Sequence, residues 1–274
     1  MGTLEVDKSL KAAFKETLEP HGFKKVKGRY PHFVRMATPE IIQVINYRLE
    51  QALSPQLEEK RFEVYCAVGS IYRPEINLNR SVYASMDWIN TTQLDMYVKA
   101  KYNGIPVYKN EQPGIDYIIK KGDEASLREQ IAFAMTGIEH YIIPAFDKVV
   151  DLKTCVDYLE LYGFDELEIN RRTECNGDVF ILPAKYPDIG SYRKKLQKNC
   201  EMMKRGVMQD VLEKKMTEED GEKKLNRCIK RYNNMVISYE KIFIDEGAKR
   251  ETALLKAERA KKNLEAIHAM GIEV

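Results

Sequence analysis

The residues best able to do chemistry in this sequence are basic, and they fall in two short stretches. The first, EPHGFKKVKGRYPHFVR at residues 19–35, gathers Lys24, Lys25, Arg29 and Arg35 around two glycines and two prolines. Such side chains on a turn after a helix could bind a phosphate or a carboxylate. Lysines at a helix C-terminus are also favoured without a ligand, because they offset the helix dipole. The stretch is therefore predicted to be either an anion site or a solvated turn.

The second basic stretch is SYRKKLQKNCEMMKRG, which carries six Lys and Arg residues and one acid. Helical spacing puts Lys194, Lys198 and Arg205 on one face, and Arg193 adjoins them. Such a face could bind nucleic acid, an anionic membrane surface or an acidic protein. The alternative is an ordinary solvated face of a helix.

Side chains that could act as nucleophiles, acids or bases are scattered through the sequence. The four histidines are isolated from one another, and Cys66 and Cys200 lie on apolar stripes. The chain has no H-E-x-x-H, G-x-S-x-G, P-loop or G-x-G-x-x-G motif. We therefore predict no metal site and no cofactor, and we do not favour catalysis. The open alternative is an enzyme that uses Glu139 or His140 in a pocket between a sheet and a long helix.

Composition and charge argue against several classes of protein. The 274 residues carry 44 Lys and Arg against 42 Asp and Glu, a net charge of +2, whereas a dedicated nucleic-acid binder usually has a clear basic excess. No apolar run approaches the roughly 20 residues that span a bilayer, and the first residues lack an apolar signal core. The five cysteines are widely spaced, which favours free thiols in a reducing compartment. We predict a cytoplasmic protein without a membrane span.

The elements that must position these residues begin with a helix and several strands. Leu10, Phe14 and Leu18 recur at helical spacing, which predicts a helix over residues 8–18 that ends near Pro20. Alternating apolar residues then predict an antiparallel β-meander with one buried face. Its strand candidates are EIIQVINYRL, RFEVYCAVGSIY, TTQLDMYVKA and PGIDYIIKKG.

A long helix is predicted to follow the strands and to pack on the sheet. Asp123 is a good N-cap residue, and apolar residues recur every three or four positions from Leu127 to Ala145. Pro144 is expected to kink this helix or to end it. The segment DLKTCVDYLELYG predicts a further short helix that stops at Gly163.

Tyrosines are frequent in the predicted strands and could form a binding surface. If the sheet leaves a concave face open, Tyr47, Arg48 and Tyr65 could line a groove. The alternative is half-buried strand tyrosines whose hydroxyls reach water.

The last third of the chain is predicted to be helical. After a capping-box-like start at Thr217, apolar residues step by four and three, which is the pattern of a coiled-coil seam. A tight connector at residues 245–247 then leads to a helix with small residues from Ala253 to Ala260 on its seam. This pattern predicts an antiparallel hairpin or three-helix bundle, with the seam facing either the same chain or a second copy. The seam consists of Leu225, Ile229, Tyr232, Val236, Tyr239 and Phe243.

The predicted fold is therefore α+β. An N-terminal helix and an antiparallel sheet packed by a long helix occupy residues 1–150, a connecting segment with a short helix occupies 151–186, and a helical region occupies 187–274.

The first half of the chain resembles the bacterial family known as domain of unknown function 4304. The resemblance covers residues 8–150 and rests on a helix that ends in Gly-Phe-basic-basic, followed by two strands. The family has no established reaction, so the resemblance implies no catalytic residue. Some members look like neighbours of toxin–immunity systems, so the resemblance implies a bacterial protein and a link to such systems, which is an association and not a mechanism. The matching residues are Gly22, Phe23, Lys24, Lys25, Gly28, Phe33, Ile42, Val44, Ile45, Asn46, Phe62, Val64 and Gly69.

These observations together predict a non-catalytic binding or interaction protein. Its partner would be another protein or a second copy held through the helices. A nucleic-acid-associated protein that uses the basic helices is the first alternative, and the enzyme described above is the second.

Overall fold

The N-terminal helix is the first element of the computed structural model, which describes residues 3–26, 31–50, 59–76, 90–93, 117–120, 122–161, 184, 186 and 188–273. Helix α1 spans Thr3–Leu18, and its buried side chains recur every four residues from Val6 to Leu18. One tighter turn follows at Glu19–His21, and Gly22 then reverses the chain with φ of 82°, a conformation that favours glycine. The predicted helix is confirmed and begins earlier than the pattern indicated.

The sheet is antiparallel in all of its described pairings. Strands β1 to β4 neighbour one another in chain order, and β5 and β6 both pair with the free edge of β4. The predicted meander and the α+β class are confirmed, although the TTQLDMYVKA candidate lies mostly outside the described residues. The strands are β1 Lys24–Val26, β2 His32–Thr38, β3 Ile41–Glu50, β4 Glu59–Ser70, β5 Asn90–Gln93 and β6 Tyr117–Lys120.

Helices cover one face of this sheet. The ring of Phe14 on α1 packs against Phe33 on β2 and Tyr47 on β3, with centroids 5.8 and 4.8 Å apart. Since β3 and β4 pair without a bulge, successive residues along each strand point to opposite faces. We call the face that contains Phe33 and Tyr47 the helix-covered face.

The other face, here called the second face, is buried as well. Val34, Val44 and Tyr65 lie on it and are each at most 4% exposed. The prediction of a single buried face is therefore wrong. It took the polar residues that alternate along β4 for solvent-facing ones, whereas Tyr65 donates a hydrogen bond to Glu63 within the fold.

The long helix is interrupted where a proline cannot continue it. Helix α2, Glu124–Gly137, begins at Asp123, whose carboxylate accepts a hydrogen bond from Ser126 N–H at 2.9 Å. A wide π-helical turn at Ile138–Ile142 and a last turn, α3, at Ile143–Phe146 follow. Pro144 has no N–H to donate, so the backbone widens just before it and the helix ends two residues after it. Of the two outcomes expected at Pro144, a kink or an end, the structure shows the end of the helix.

A short helix packs beneath the end of α3. Helix α4 spans Leu152–Leu161, and the ring of its Tyr158 meets Phe146 edge-on at 5.7 Å. The Tyr158 hydroxyl lies 4.0 Å from Cys66 Sγ on β4, so α4 reaches the helix-covered face of the sheet. The predicted stop at Gly163 lies outside the described residues.

Three helices form the C-terminal region: α5 Ile189–Leu212, α6 Glu218–Ile244 and α7 Glu246–Ala269. Helices α5 and α6 run antiparallel, with the ring of Tyr192 stacked on Tyr239 at 4.1 Å. A single residue, Asp245, joins α6 to α7. Its N–H donates to the Lys241 carbonyl, and its carboxylate accepts from Ala248 N–H at 2.9 Å. The predicted antiparallel hairpin is formed by α5 and α6, and the connector predicted at residues 245–247 is reduced to one residue.

Helix α7 packs on the turn that follows β4. The Asn263 side chain is 1% exposed and donates to the carbonyls of Ile71 and Arg73 at 2.8 and 2.7 Å. Its Oδ1 accepts from Ile76 N–H at 3.1 Å. Beyond α7, Glu273 pairs with Lys24 of β1 at 3.3 Å. The helical region therefore shares one core with the sheet.

The coiled-coil seam is used largely inside the chain. Tyr232 and Tyr239 are buried, whereas Leu225, Ile229 and Val236 are half-buried, and the side chain of Phe243 lies outside the described ones. The pattern missed Met235, which is buried beside Tyr232. The prediction of an alanine seam on α7 is wrong for the first half of the helix, since Ala253 and Ala257 are exposed. Among the described helices, none is long and apolar enough to cross a membrane.

Candidate binding site on the second sheet face

One half of the second face is lined by polar side chains. Strand pairing puts His32 of β2 beside Asn46 of β3, and Asn46 beside Tyr65 of β4. Paired residues of this kind have Cα atoms about 4.5–5.5 Å apart. One step along the strands, Arg48 lies opposite Glu63. We call this set the polar cluster; it comprises His32, Asn46, Arg48, Arg61, Glu63 and Tyr65.

The period of the strands explains why these side chains meet. Residues 46 and 48 on β3, and 61, 63 and 65 on β4, are each two apart, so each set points to one face. Further along the same face the strands carry Val34, Val44 and Ala67, which are apolar and buried. The second face is therefore divided into an apolar half and a polar half.

The polar cluster is buried to an unusual degree for its residue types. His32 is 1% exposed, Asn46 4% and Glu63 8%, while Arg48 and Arg61 are half-buried. The Tyr65 hydroxyl donates a hydrogen bond to the Glu63 carboxylate. Burying such groups is costly unless they are bonded to one another or to a ligand.

Asn46 has a buried acceptor atom that needs a hydrogen-bond donor. Within the described part of the chain, no group donates a hydrogen bond to its buried Oδ1. Leaving a buried acceptor without a donor costs about 1–3 kcal/mol. A bound molecule with an N–H or O–H group would remove that cost.

The charge of the cluster favours an anion. Arg48 and Arg61 supply two guanidinium groups and Glu63 one carboxylate. Guanidinium groups hold carboxylates and phosphates through paired hydrogen bonds. The arrangement can therefore bind a small anion that also presents a hydrogen-bond donor to Asn46.

The groove predicted from Tyr47, Arg48 and Tyr65 is not formed by those three residues. Arg48 and Tyr65 lie on the second face, whereas Tyr47 points to the helix-covered face and is 1% exposed. The Tyr47 hydroxyl donates to Asp7 Oδ1 at 2.9 Å, and burial, with Asp7 adding to the effect, raises the pKa of Tyr47 far above its usual value. Adjacent strand residues point in opposite directions, so this grouping was wrong by one residue.

Arg35, expected to bind an anion, is instead committed to holding the fold together. Its Nε donates to Gln43 Oε1 at 2.6 Å, its Nη1 to the His21 carbonyl at 2.9 Å, and its Nη2 to Asp147 Oδ1 at 2.5 Å. The guanidinium also lies 4.7 Å from the centre of the Phe23 ring. It therefore ties the end of α1 to the sheet and to the end of the long helix.

The other residues of the first basic stretch do not converge on a site. Lys24 pairs with Glu273, Lys25 is exposed, and Arg29 lies outside the described residues. The predicted anion site at residues 19–35 is thus not assembled by the described side chains.

The second basic stretch forms the helix face that its spacing predicted. Lys194, Lys198 and Arg205 are exposed on α5, whereas Arg193 forms an ion pair with Glu240 of α6. The three exposed cations form a solvated stripe on α5.

Glu139 and His140, the two residues named for a catalytic role, do not belong to the polar cluster. Glu139 and His140 are exposed on the π-helical turn. Among the described residues, no three His, Cys, Asp or Glu side chains are grouped so that they could hold a metal ion.

Sequence patterns alone could have found part of the polar cluster. Polar residues at every second position of two neighbouring strands, Asn46 with Arg48 and Arg61 with Glu63, indicate a polar strip on one face. The contribution of His32 depends on the register of β2 against β3, which no local pattern sets.

Comparisons of the chain with protein-family models, with curated proteins and with solved structures found no match in any of the three. The resemblance to domain of unknown function 4304 therefore stays a prediction.

Proposed function

We propose that the chain is a non-catalytic binding protein that holds a small anionic ligand on the polar half of its second sheet face. The observation that carries the proposal is the buried Asn46 Oδ1, which lacks a donor among the described residues while two arginines lie on the same strip. A site with this combination has a place both for a donor and for a negative charge.

The ligand that fits is a small molecule with a carboxylate or a phosphate and at least one hydroxyl or amino group. Arg48 and Arg61 would attract the anionic end, and Asn46 would accept a hydrogen bond from the other end. Val44 and Ala67, which border the cluster, favour a short apolar segment in the ligand. Such sites combine mostly apolar walls with a few polar groups that fix orientation.

The proposal does not need a second copy of the chain. The seam that a partner could have used is occupied within the chain at Tyr232 and Tyr239. A cytoplasmic location belongs to the same proposal, and it is supported by the free thiols of Cys66, Cys155, Cys200 and Cys228.

Native mass spectrometry of freshly purified protein tests the proposal first, because a buried ligand would copurify. A panel of amino acids, hydroxy acids and phosphomonoesters is then screened by thermal unfolding. A ligand at about 100 times its Kd stabilises a protein by about 2.7 kcal/mol, which is a rise of several degrees in melting temperature.

Two variants on the same strand separate binding from stability. Asn46→Leu keeps the size of the side chain and removes the unmet acceptor, so the ligand-free protein should be as stable as the wild type or more stable. It should lose the ligand-induced rise. Ile45→Ala, at the next residue but on the helix-covered face, should be less stable and should keep that rise.

The proposal fails if the native mass equals that of the chain and no compound of the panel raises the melting temperature. It also fails if Asn46→Leu responds to the ligand as the wild type does.

A further inference from the structure

Two cysteines on neighbouring helices, Cys200 of α5 and Cys228 of α6, occupy facing positions. The closest approach of the two helices is at Gly221, where an added Cβ would lie 2.9 Å from Val211 Cγ2 and 3.2 Å from Val207 Cγ1, so Gly221 lies between the two valines. Cys200 lies seven residues before Val207, and Cys228 lies seven residues after Gly221. Seven residues are close to two helical turns, so in an antiparallel pair Cys228 repeats the position of Gly221 and lies between Cys200 and Lys204.

Contacts on both sides show that the two helices also lie against each other beyond the cysteines. Toward one end, Lys224 lies 3.9 Å from Asp210, and toward the other, the rings of Tyr192 and Tyr239 stack at 4.1 Å. The two helices therefore stay side by side along the whole segment that contains the thiols.

The surroundings of the thiols make them accessible as well as adjacent. Both cysteines are half-buried, whereas Cys66 and Cys155 are buried. Burial raises the pKa of Cys200, and Cys228 contributes in the same direction, as expected for two neighbouring thiols. A thiol of raised pKa is a slow nucleophile, so the pair should respond to sustained rather than brief oxidation.

We propose that Cys200 and Cys228 are a reversible oxidation site that forms a disulfide between α5 and α6. With hydrogen peroxide as the oxidant, one thiolate attacks a peroxide oxygen, which yields a sulfenic acid and, after protonation, one water. The second thiolate attacks the sulfenic sulfur, forms the S–S bond and releases a second water. Two thiols lose two electrons and two protons, and one peroxide becomes two waters.

The disulfide would fasten the hairpin where it leaves the shared core. Tyr232 and Leu196 belong to that core, whereas Val207 is buried only between the two helices. A bond at residues 200 and 228 closes a loop that contains the whole outer end of the hairpin. Closing a loop of this length is expected to raise the melting temperature by on the order of 5 °C.

Peptide mapping of the oxidised protein tests the proposal directly. The folded wild type is treated with hydrogen peroxide, free thiols are alkylated, and the denatured protein is digested with trypsin without reduction. Cleavage after Lys198, Lys204, Arg227 and Lys230 isolates the two cysteines in the peptides NCEMMK and CIK. We expect these peptides to be joined, at the combined mass minus two hydrogens, and to separate after dithiothreitol.

Two single variants and two internal references complete the test. Cys200→Ser and Cys228→Ser should each abolish the joined peptide and the rise in melting temperature. The buried Cys66 and Cys155 should stay unoxidised in the same sample. Recovery of NCEMMK and CIK as separate alkylated peptides after oxidation would overturn the proposal, and so would their linkage to Cys175 or to another molecule. A joined peptide without a higher melting temperature would overturn the claim that the bond fastens the helices.

Discussion

Replacing Asn263 by leucine should weaken the attachment of α7 to the sheet while leaving the helix itself intact. The asparagine amide makes three hydrogen bonds to the backbone of residues 71–76, and it is 1% exposed. Leucine has a similar size and a better helix propensity, so neither a cavity nor a loss of helix accompanies the change. The variant therefore isolates the hydrogen bonds.

The expected loss follows from the groups left without a partner. Leucine strands one N–H and two carbonyl oxygens in a buried turn, and each such group costs about 1–3 kcal/mol. Carbonyl oxygens have a second lone pair and tend toward the lower figure. We therefore expect the free energy of unfolding to fall by about 3 kcal/mol.

An aspartate at the same position adds a dependence on pH. Asn263→Asp keeps an acceptor for Ile76 N–H but sets a buried carboxylate against two carbonyl oxygens. The folded protein then favours the protonated acid, so the pKa of this group is raised above its unfolded value of about 3.9. A group whose pKa is raised on folding contributes most below the unfolded pKa, and that contribution is lost as pH rises through the folded pKa. The variant should therefore be closer to the wild type at pH 4 than at pH 7.

Urea unfolding followed by far-ultraviolet circular dichroism measures both effects, with the wild type at each pH as the reference. Lys262→Ala is the matched control at the neighbouring position. The exposed Lys262 ammonium makes a single long hydrogen bond, 3.4 Å, to the Pro74 carbonyl, so this variant should change the free energy of unfolding by less than about 0.5 kcal/mol. Amide hydrogen exchange at Ile76 should be slow in the wild type and fast in Asn263→Leu. A leucine variant as stable as Lys262→Ala, with Ile76 still protected, would refute the assignment of these hydrogen bonds.

Three further sets of variants test other contacts by urea unfolding. Gly206→Ala, with nothing within 4 Å of the new Cβ, should stabilise by about 0.5–1 kcal/mol, whereas Gly221→Ala, whose Cβ would lie 2.9 Å from a Val211 methyl, should destabilise by about 1 kcal/mol. Equal gains at both glycines would contradict the close approach of α5 and α6. Tyr47→Phe should cost about 1 kcal/mol at pH 7. Because burial raises the pKa of Tyr47 in the folded state, the wild type should lose stability as pH rises above about 10, and the stability difference between wild type and Tyr47→Phe should become smaller there. A stability difference that stays constant up to pH 11 would contradict the raised pKa. Arg35→Lys keeps the charge but cannot reach three acceptors, and should cost about 2–3 kcal/mol, more than Asp147→Asn at the exposed end of the same network. A larger loss of stability in Asp147→Asn than in Arg35→Lys would show that the three hydrogen bonds of Arg35 do not hold these elements together.

Local signals made much of this fold predictable. Asp123 and Thr217 were expected to cap helices, and each accepts a hydrogen bond from the N–H three residues later. The β3 and β4 strands were found from their alternation and β-branched content. Caps and strand periods act over a few residues, so one sequence contains all the information they need.

The parts that were mispredicted depend on partners far away in the chain. Asn263 reads as an unremarkable polar residue on a helix until the turn at residues 71–76 meets it. Glu63 and Tyr65 alternate with the apolar residues of β4 and were therefore assigned to the face that was not predicted to be buried, whereas their burial depends on the tertiary structure. Arg35 looked like an anion ligand because basic residues are exposed on average, yet its three acceptors come from three separate elements.

The one-residue link at Asp245 sets a limit on how the length of this chain can change. Asn263 lies 18 residues after Asp245, which is five helical turns, so the two residues lie on the same side of the helix. One inserted or deleted residue at the link would rotate everything beyond it by about 100° and shift it by about 1.5 Å along the axis. Asn263 would then face away from the turn that it holds. Insertions and deletions in natural variants should therefore avoid this junction, and a tag or a fused domain is better placed elsewhere.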